Sequence, residues 1–335
     1  MKFVAVTATS TKSQCLSLSK TLCFQNLKIV SISPNRKRIF LSVLMRKPTL
    51  YGFDGVKEIL LPIAKKLLKE KMSYPITLIY MKLKFCGAAY KLFDQFFKEE
   101  QYVGGIKSPT TRLFNQFHAP LTSTMKANIL QEIKSEKSRI RVIFATTALG
   151  MGVDARNVNH VIHIGPPSSI ESYVQELGRA GRRENDSWAT LYWNYSDISS
   201  NTHVEKSVRE YCLTQTCLRK FLLDYFGYPS LKQERCCSNC HANLVPEVSQ
   251  KKRNINTNNL KNLLDECLQK YSNECFGDCP MEFEYPDLPS SDVIIRNIDS
   301  IICEDDLLYN LDILNPLCRT DLFNVISKYA PLVVD

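Results

Sequence analysis

Short apolar runs alternate with helical segments between residues 56 and 200, and this alternation constrains the fold more than any other feature of the sequence. Three runs have the length and composition of buried strands: Ile76–Tyr80, Arg141–Thr146 and His160–Ile164. Apolar residues recur with helical spacing in Val56–Leu67, Ala88–Phe97, Met125–Lys134 and Ser169–Leu177. Strands that alternate with helices predict an α/β fold with a parallel sheet covered on both faces.

The segments on either side of this region are less regular. Two β-branched runs predict strands near the start of the chain, Phe3–Thr9 and Leu27–Ser33. Glu205–Phe226 has a mainly helical pattern, and apolar clusters at Val293–Ile302 and Leu322–Val333 can support helices. We therefore expect an α-rich tail, to which the sequence assigns no function.

The net charge of +9 hides two regions of opposite sign. Residues 1–253 carry 38 Lys and Arg against 19 Asp and Glu, whereas residues 254–335 carry 5 against 15. A strongly basic region favours a polyanionic partner, because neutralising phosphates releases their counterions. Scattered lysines that only solvate the surface are an equally good interpretation of the charge alone.

The apolar pattern argues against a membrane-spanning protein and against a secretory signal in residues 1–10. The longest apolar runs, such as Ile59–Ala64, are far short of the roughly 18–20 residues that span a bilayer, so no membrane partner is expected. Residues 1–10 have no apolar core typical of a secretory signal. We therefore expect the 13 cysteines to be reduced in an intracellular compartment, where clustered cysteines indicate a metal site before a disulfide.

Small residues follow the predicted strand Arg141–Thr146, at the end of a strand where parallel sheets bind ligands. The backbone N–H groups of Thr146, Thr147 and Gly150 can approach a phosphate, and Asp154 can accept a hydrogen bond from a sugar hydroxyl. An ordinary turn after a strand is the alternative.

A second group follows at the end of the predicted helix Ser169–Leu177. Gln175, Arg179 and Arg182 lie within one short stretch, and Gly178 leaves room for close approach. Paired arginines suit phosphoryl transfer, because each guanidinium offers fixed donors to the charge that builds up on the transferred phosphate. A solvated basic turn is the alternative for this stretch taken alone.

Together these segments resemble the RecQ family of superfamily 2 helicases. Ala145–Asp154 is similar to motif V, and Tyr173–Arg182, which contains QELGRAGR, is similar to the RecQ form of motif VI. Val4–Thr9 resembles motif III, Ile76–Tyr80 motif IV, and Phe117–Ala119 the segment between motifs IV and V.

This resemblance implies an ATP-dependent DNA helicase that moves 3′ to 5′ and is built from two RecA-like lobes, with ATP and Mg²⁺ between them. It implies single-stranded DNA and duplex junctions as partners, a role in DNA repair or recombination, and a nuclear or other chromosome-associated location. The implied domains are the remnant of the first lobe with a linker, the complete second lobe, a helical zinc-binding subdomain and the acidic tail: residues 1–48, 49–203, 204–250 and 251–335.

Roles of individual residues are also implied by the resemblance. Arg182 corresponds to the arginine finger, and Arg179 and Gln175 to contacts with the γ-phosphate. The remaining implied contacts are those to the nucleotide (Gly150, Asp154, Gly178), those to DNA phosphates (Thr146, Thr147) and those that couple hydrolysis to lobe movement (Thr7, Thr9).

The sequence departs from the family in the nucleotide-binding half. It contains no GxxxxGK[ST] loop, and no DExH strand precedes the motif III segment. Without the lysine and the carboxylate that hold the phosphates and Mg²⁺, we expect no appreciable ATP hydrolysis by this chain alone. A truncated form of a longer helicase is the expected explanation, and a non-enzymatic, zinc-containing DNA-binding or decoy module is the alternative.

The cysteines after the second lobe resemble the zinc subdomain of RecQ proteins. Cys217, Cys237 and Cys240 have suitable spacing for three thiolate ligands of a tetrahedral Zn²⁺. The family expects a further cysteine where this chain has Asn243. Cys236, His241 and Cys212 are candidates for the fourth ligand, and we favour Cys236 because a thiolate is the softer ligand. Free thiols without metal are the alternative.

Overall fold

A six-stranded sheet forms the centre of the larger of two compact units in this computed structural model. The structure describes most of the chain, and every structural statement below concerns that part: residues 4, 6–7, 9–24, 28–46, 53–105, 107–135, 138–149, 158–182, 186–199, 202–229, 233, 235–244, 257–276, 290–296, 298, 301, 307 and 316–330. The larger unit comprises residues 1–44, 56–193 and 201–245, and the smaller unit comprises residues 45–55, 194–200 and 246–335.

The strands follow the order β1-β6-β5-β2-β4-β3 across the sheet. The four neighbouring pairs from β6 to β3 are all parallel, and Ile79 in β2 lies opposite Phe144 on one side and Ile162 on the other. All six residues of β2 are buried, as expected for a central strand covered on both faces. The strand bounds are β1 Ile39–Met45, β2 Ile76–Met81, β3 Phe114–Phe117, β4 Val142–Ala145, β5 Val158–Ile164 and β6 Ser187–Trp193.

Eleven α-helices are described, and amphipathic helices connect β1 to β2, β2 to β3, β3 to β4 and β5 to β6, as parallel connections typically do. Phe93 in α3 shows how a helix packs on the sheet, because its ring meets Phe114 and Phe144 edge-on at centroid distances of 5.4 and 4.9 Å. The bounds are α1 Lys12–Thr21, α2 Asp54–Glu70, α3 Leu83–Phe97, α4 Ser123–Lys134, α5 Ile170–Leu177, α6 Tyr195–Ile198, α7 Lys206–Leu213, α8 Leu218–Tyr225, α9 Thr257–Phe276, α10 Ser291–Arg296 and α11 Pro316–Tyr329.

The structure confirms the predicted α/β class and the parallel sheet. The three strands predicted between residues 56 and 200 are β2, β4 and β5, and the four predicted helices are α2 to α5. The helical stretch predicted over Glu205–Phe226 is divided into α7 and α8, and the two apolar clusters in the tail form α10 and α11. The predicted domain boundaries stay a prediction.

Two predicted strands near the start are wrong. No described residue of Phe3–Thr9 or Leu27–Ser33 belongs to a strand. Their apolar side chains have no sheet to cover, since Val6 is 90% exposed and Ile32 is 89% exposed. The strand that does form is β1, which the sequence did not predict, and α1 forms between the two expected strands with all its residues at least partly exposed.

The smaller unit has a helical core of its own. Tyr195 packs against a cluster of buried apolar residues from α9, α10 and α11. The cluster includes Leu260, Leu264, Leu268, Ile294, Leu322 and Ile326. The same unit contains a buried ion pair between Arg46 and Asp197, at 2.7 Å. No described helix of either unit combines the length and the hydropathy needed to cross a membrane.

Candidate nucleotide site and metal centre

The segment predicted to contact DNA phosphates directly follows β4. The backbone N–H of Thr146 donates to the carbonyl of Phe117 at 3.1 Å, which fixes the start of the segment against the end of β3. Thr146 is half-buried, and Thr147, which begins a short 3-10 turn, is exposed. The structure therefore presents Thr147 at the carboxyl edge of the sheet. Gly150 and Asp154 lie outside the described residues.

Helix α5 positions the three residues predicted to contact the γ-phosphate. It begins after Ser169, whose hydroxyl accepts a hydrogen bond from the Ser172 N–H at 3.2 Å, a typical N-cap. It ends at Gly178, whose N–H donates to the carbonyl of Val174 at 3.0 Å. A Cβ atom at Gly178 would lie 2.9 Å from that carbonyl oxygen, so the close packing of this turn accounts for the glycine without a ligand.

The two arginines of QELGRAGR occupy different environments. Arg182 is exposed, whereas the Arg179 side chain is only 3% exposed, and Gln175 is half-buried. Burial raises the pKa of Tyr80, near the end of β2, and the positive charge of Arg179 opposes that rise. Arg179 is thus held inside the lobe beside Tyr80, and Arg182 is the arginine presented to solvent.

A buried polar pair that the sequence did not predict as part of the site lies below this turn. His163 Nε2 is 2.9 Å from Glu176 Oε2, and both side chains are at most 5% exposed. The His163 ring stacks on Tyr80 with a centroid distance of 5.0 Å. A signal for this pair was present, because Glu176 is a charged residue between Tyr173 and Leu177 on the apolar face of α5.

Gly181 joins the site to β1. Its φ of +66° lies in the left-handed region, and a Cβ atom there would be 3.0 Å from Ile39 Cγ1. Glycine is the residue that adopts this conformation without steric cost, and it allows the chain to turn between α5 and β6. Arg182 therefore follows a turn at which a side chain larger than that of glycine would meet Ile39 of β1.

The residues predicted to couple hydrolysis to lobe movement lie in an extended segment near the start of the chain. The Thr7 hydroxyl donates to the carbonyl of Thr9 at 3.0 Å, and Thr7 is exposed while Thr9 is half-buried. Their coupling role stays a prediction.

The four cysteines predicted as metal ligands are brought together. The sulfur atoms of Cys217, Cys236, Cys237 and Cys240 all lie within 4.8 Å of one another. Cys217 Sγ is 3.4 Å from Cys236 Sγ and 3.9 Å from Cys237 Sγ. Four sulfurs at about 2.3 Å from one tetrahedral ion would be about 3.8 Å apart, so this donor set fits a metal of the zinc type.

The alternatives for the fourth ligand are not part of this group. Cys212 and His241 are both described, and neither belongs to the cluster of candidate ligands.

A hydrogen bond from Cys236 lowers the pKa of the Cys237 thiol to about 4, while the pKa of Cys236 is raised chiefly by that same bond. Cys217 caps α8, because its sulfur accepts a hydrogen bond from the Lys220 N–H at 3.4 Å.

Comparison with known proteins agrees with this geometry. Residues 88–184, which include β4, β5 and α5, match the family described as the helicase conserved C-terminal domain. The ATP-dependent DNA helicase RecQ of Pasteurella multocida is 33% identical over 146 residues, which are 39% of this chain and 22% of that protein. The chain contains the C-terminal portion of a RecQ-like superfamily 2 helicase.

Other relatives match more of this RecQ-like portion. The ATP-dependent DNA helicase Q-like 5 of Arabidopsis thaliana is 28% identical over 238 residues, 70% of this chain and 23% of that protein. A protein of Acanthamoeba polyphaga mimivirus named as an ATP-dependent RNA helicase is 26% identical over 293 residues, 82% of this chain and 48% of that protein. The chain thus spans less than half the length of each of these three relatives.

Solved helicase structures are also similar to the RecQ-like portion. One is S. cerevisiae Dbp5 bound to RNA and ADP BeF3, with 14% identity, a TM-score of 0.43 and coverage of 71% of this chain and 51% of that chain. Another is Mss116p DEAD-box helicase domain 2 bound to an RNA duplex, with 17% identity, a TM-score of 0.39 and coverage of 86% of both chains. At these values the likeness has no bearing on function, and the parallel strand order itself establishes the fold class.

Proposed function

We propose that this chain contains the second RecA-like lobe of an ATP-dependent DNA helicase of RecQ type that moves 3′ to 5′. The supporting observation is the position of QELGRAGR on α5 and the following turn, with Arg182 exposed and Arg179 buried beside Tyr80. The proposed partners are single-stranded DNA and duplex junctions, and the proposed location is the nucleus or another chromosome-associated compartment.

The two arginines have separate tasks in this proposal. Arg182 is the arginine finger, because an exposed guanidinium can offer two parallel donors to a phosphate bound opposite it. Such a finger contributes roughly 10³–10⁵ in rate in phosphoryl-transfer enzymes. Arg179 adds a positive charge at the base of the same turn and contacts the γ-phosphate together with Gln175 once its surroundings rearrange.

The remaining predicted contacts are proposed on the resemblance and on their positions. Gly150, Asp154 and Gly178 would line the nucleotide, and the exposed Thr147 with Thr146 would contact DNA phosphates through backbone N–H groups. ATP and Mg²⁺ would be held mainly by a P-loop and an acidic strand, which this sequence does not contain. We therefore propose that the chain alone does not hydrolyse ATP appreciably.

A chimaera tests the enzymatic proposal. The first lobe of a RecQ helicase, carrying its P-loop and DExH strand, is joined ahead of this chain, and DNA-stimulated ATP hydrolysis is measured. We expect hydrolysis in the chimaera, none in the chain alone, and a loss of about 10³-fold or more in Arg182→Ala. Lys206→Ala, which removes an 89% exposed charge on α7, is the matched control and should retain full activity.

Two results would contradict this proposal. Turnover by the purified chain alone that is abolished by Arg182→Ala would show a complete ATPase. A folded chimaera that binds DNA without hydrolysing ATP would favour the alternative, a non-enzymatic DNA-binding or decoy module. Unwinding of duplexes with a single-stranded 3′ tail, but not of those with a 5′ tail, tests the polarity.

The cysteine cluster is proposed to hold one Zn²⁺ through Cys217, Cys236, Cys237 and Cys240. The ion would supply a structural crosslink between the start of α8 and the loop that contains the other three cysteines. Elemental analysis of chain purified without chelators should give one zinc per chain. No metal in that sample, together with four titratable thiols in this cluster, would contradict the proposal.

A further inference from the structure

A buried arginine lies beside the cysteine cluster. Arg219 is 3% exposed. Within the part of the chain that the structure describes, all four oxygens that accept hydrogen bonds from its guanidinium are neutral. It donates to Asn35 Oδ1 at 2.8 Å, to the carbonyl of Arg36 at 3.0 Å and to the carbonyl of Cys236 at 3.4 Å. It also donates to the carbonyl of Ile39, the first residue of β1. One side chain thus connects the start of β1 to a proposed metal ligand.

The charge of Arg219 has no acidic partner in the described part of the chain. None of the ion pairs found there includes Arg219, although a buried cation is costly unless an opposite charge compensates it. Four thiolates around one divalent cation carry a net charge of −2. The loaded cysteine cluster would therefore supply a negative charge near Arg219, where no ion pair to an acidic side chain is found among residues 4–182, 186–244 and 257–330 as far as the structure describes them.

The cysteine loop is also bonded to β1 through its backbone. The Leu41 N–H donates to the carbonyl of Cys236 at 3.3 Å, and the Ser238 N–H donates to the carbonyl of Leu41 at 2.8 Å. Leu41 and Cys237 form an isolated parallel bridge. The carbonyl of Cys236 therefore receives hydrogen bonds from both Arg219 and β1, and these two bonds fix the position of this residue.

We propose that Arg219 is a positioning residue for the metal centre. It holds Cys236 where that thiol can serve as the fourth ligand, in a chain that has Asn243 where RecQ proteins are expected to have a cysteine. Arg219 does not bind the metal. It acts through the carbonyl of Cys236 and through its own charge, and the inference rests on the metal site proposed above.

Titration of the metal-free full-length chain with Co²⁺ tests this role, because the thiolate-to-cobalt and d–d absorption bands report how many thiolates bind. Hydrogen-bonding partners of metal ligands typically contribute about 10–100-fold in metal affinity. We expect Arg219→Met to weaken Co²⁺ binding by about that factor and to reduce the bands of the four-thiolate site. Hydrogen exchange at the Leu41 and Ser238 amides should become faster in the same variant.

Arg209→Met is the matched control. Arg209 lies on α7, and its guanidinium also donates to two backbone carbonyls, those of Val204 and Thr202 at 3.1 and 3.3 Å, neither of which belongs to the cysteine loop. This variant should bind Co²⁺ as the unmodified chain does. Equal weakening in Arg209→Met and Arg219→Met, or unchanged binding in Arg219→Met, would overturn the positioning role.

Arg219→Lys separates charge from geometry and serves if Arg219→Met does not fold. Lysine keeps the positive charge but has no planar fork to hold the carbonyls of Ile39 and Cys236 together. We expect an affinity between those of the unmodified chain and Arg219→Met, and unchanged affinity and spectrum would overturn the proposal. If the unmodified chain shows no four-thiolate Co²⁺ spectrum, the metal site itself is wrong, which distinguishes that failure from a failure of Arg219.

Discussion

His163 Nε2 and Glu176 Oε2 lie 2.9 Å apart in the interior of the lobe, and their contact ties the end of β5 to the last turn of α5. Arg179 lies two residues beyond Leu177, the last residue of that helix. The direction in which the arginine-bearing turn leaves α5 therefore depends on a polar pair that is itself sealed from water. Stability measurements on this pair test whether the turn is held in this way.

We expect Glu176→Ala to lower the free energy of unfolding by about 1–3 kcal/mol, because it leaves the buried His163 nitrogen without its partner. Glu176→Gln should cost less, since an amide oxygen can still accept a hydrogen bond. Urea denaturation followed by circular dichroism measures the change. Glu99→Gln, which removes one partner of an exposed pair with Lys107, should leave stability unchanged. Equal effects at both sites would contradict the assignment.

Alanine substitutions at Gly181 and Gly87 should change the free energy of unfolding in opposite directions. Gly181→Ala places a side chain at a φ of +66° and 3.0 Å from Ile39 Cγ1, so we expect a loss of about 1–3 kcal/mol. Gly87 lies exposed within α3 with open space around it, and Gly87→Ala should stabilise the protein by about 0.5–1 kcal/mol. Thermal unfolding measured on both variants checks the two signs. Destabilisation by Gly87→Ala would contradict the described environment.

The buried ion pair of the smaller unit should be sensitive to removal of one partner. Asp197 accepts from Arg46 at 2.7 Å and from the Asn194 N–H at 3.1 Å. Arg46→Met leaves the carboxylate without its buried counter-charge, and we expect a loss of about 3–5 kcal/mol. Lys261→Met, at an exposed pair with Asp292 in the same unit, is the control and should have no measurable effect. Urea unfolding curves of the two variants distinguish these outcomes.

Stability should fall as the pH is lowered from 7 towards 4, partly because of His160. Burial, and then the charge of Lys66, lowers the pKa of His160 from 6.5 to about 4. Between these pH values the unfolded chain binds the proton and the folded chain does not, so acid favours unfolding. In His160→Gln the slope of stability against pH should be smaller by at most about 1.4 kcal/mol per pH unit. An unchanged slope in His160→Gln would refute the shift.

The central strands and helices could be predicted from the sequence because their apolar runs are both local and buried. Local apolar runs did not predict strands correctly where strand formation depends on pairing with a distant part of the chain. Leu27–Ser33 has the composition of a strand, but its described residues, 28–33, do not belong to the sheet, whereas Ile39–Met45 lies at the edge of the sheet beside β6. Pairing of this kind joins residues about 150 positions apart, and no local periodicity reports it.

Some features of the candidate site could also be predicted from the sequence, and others could not. The four cysteines could be predicted because few residue types bind a soft metal, and a fourth thiol was present next to Cys237. The burial of Arg179, the partner of Glu176 and the contacts of Arg219 could not be predicted, because each depends on where β1, β2 and β5 place their ends. Charged residues on an apolar helix face, such as Glu176, were the available signal.

The bridge between Leu41 and Cys237 also has a consequence for association between molecules. β1 is the last strand on one side of the sheet, and four of its seven residues are fully buried. Unpaired N–H and carbonyl groups on such a strand would offer a template for a strand of another molecule. The cysteine loop occupies part of that edge, so reagents that oxidise its thiols and displace the loop should cause β-rich aggregates to form.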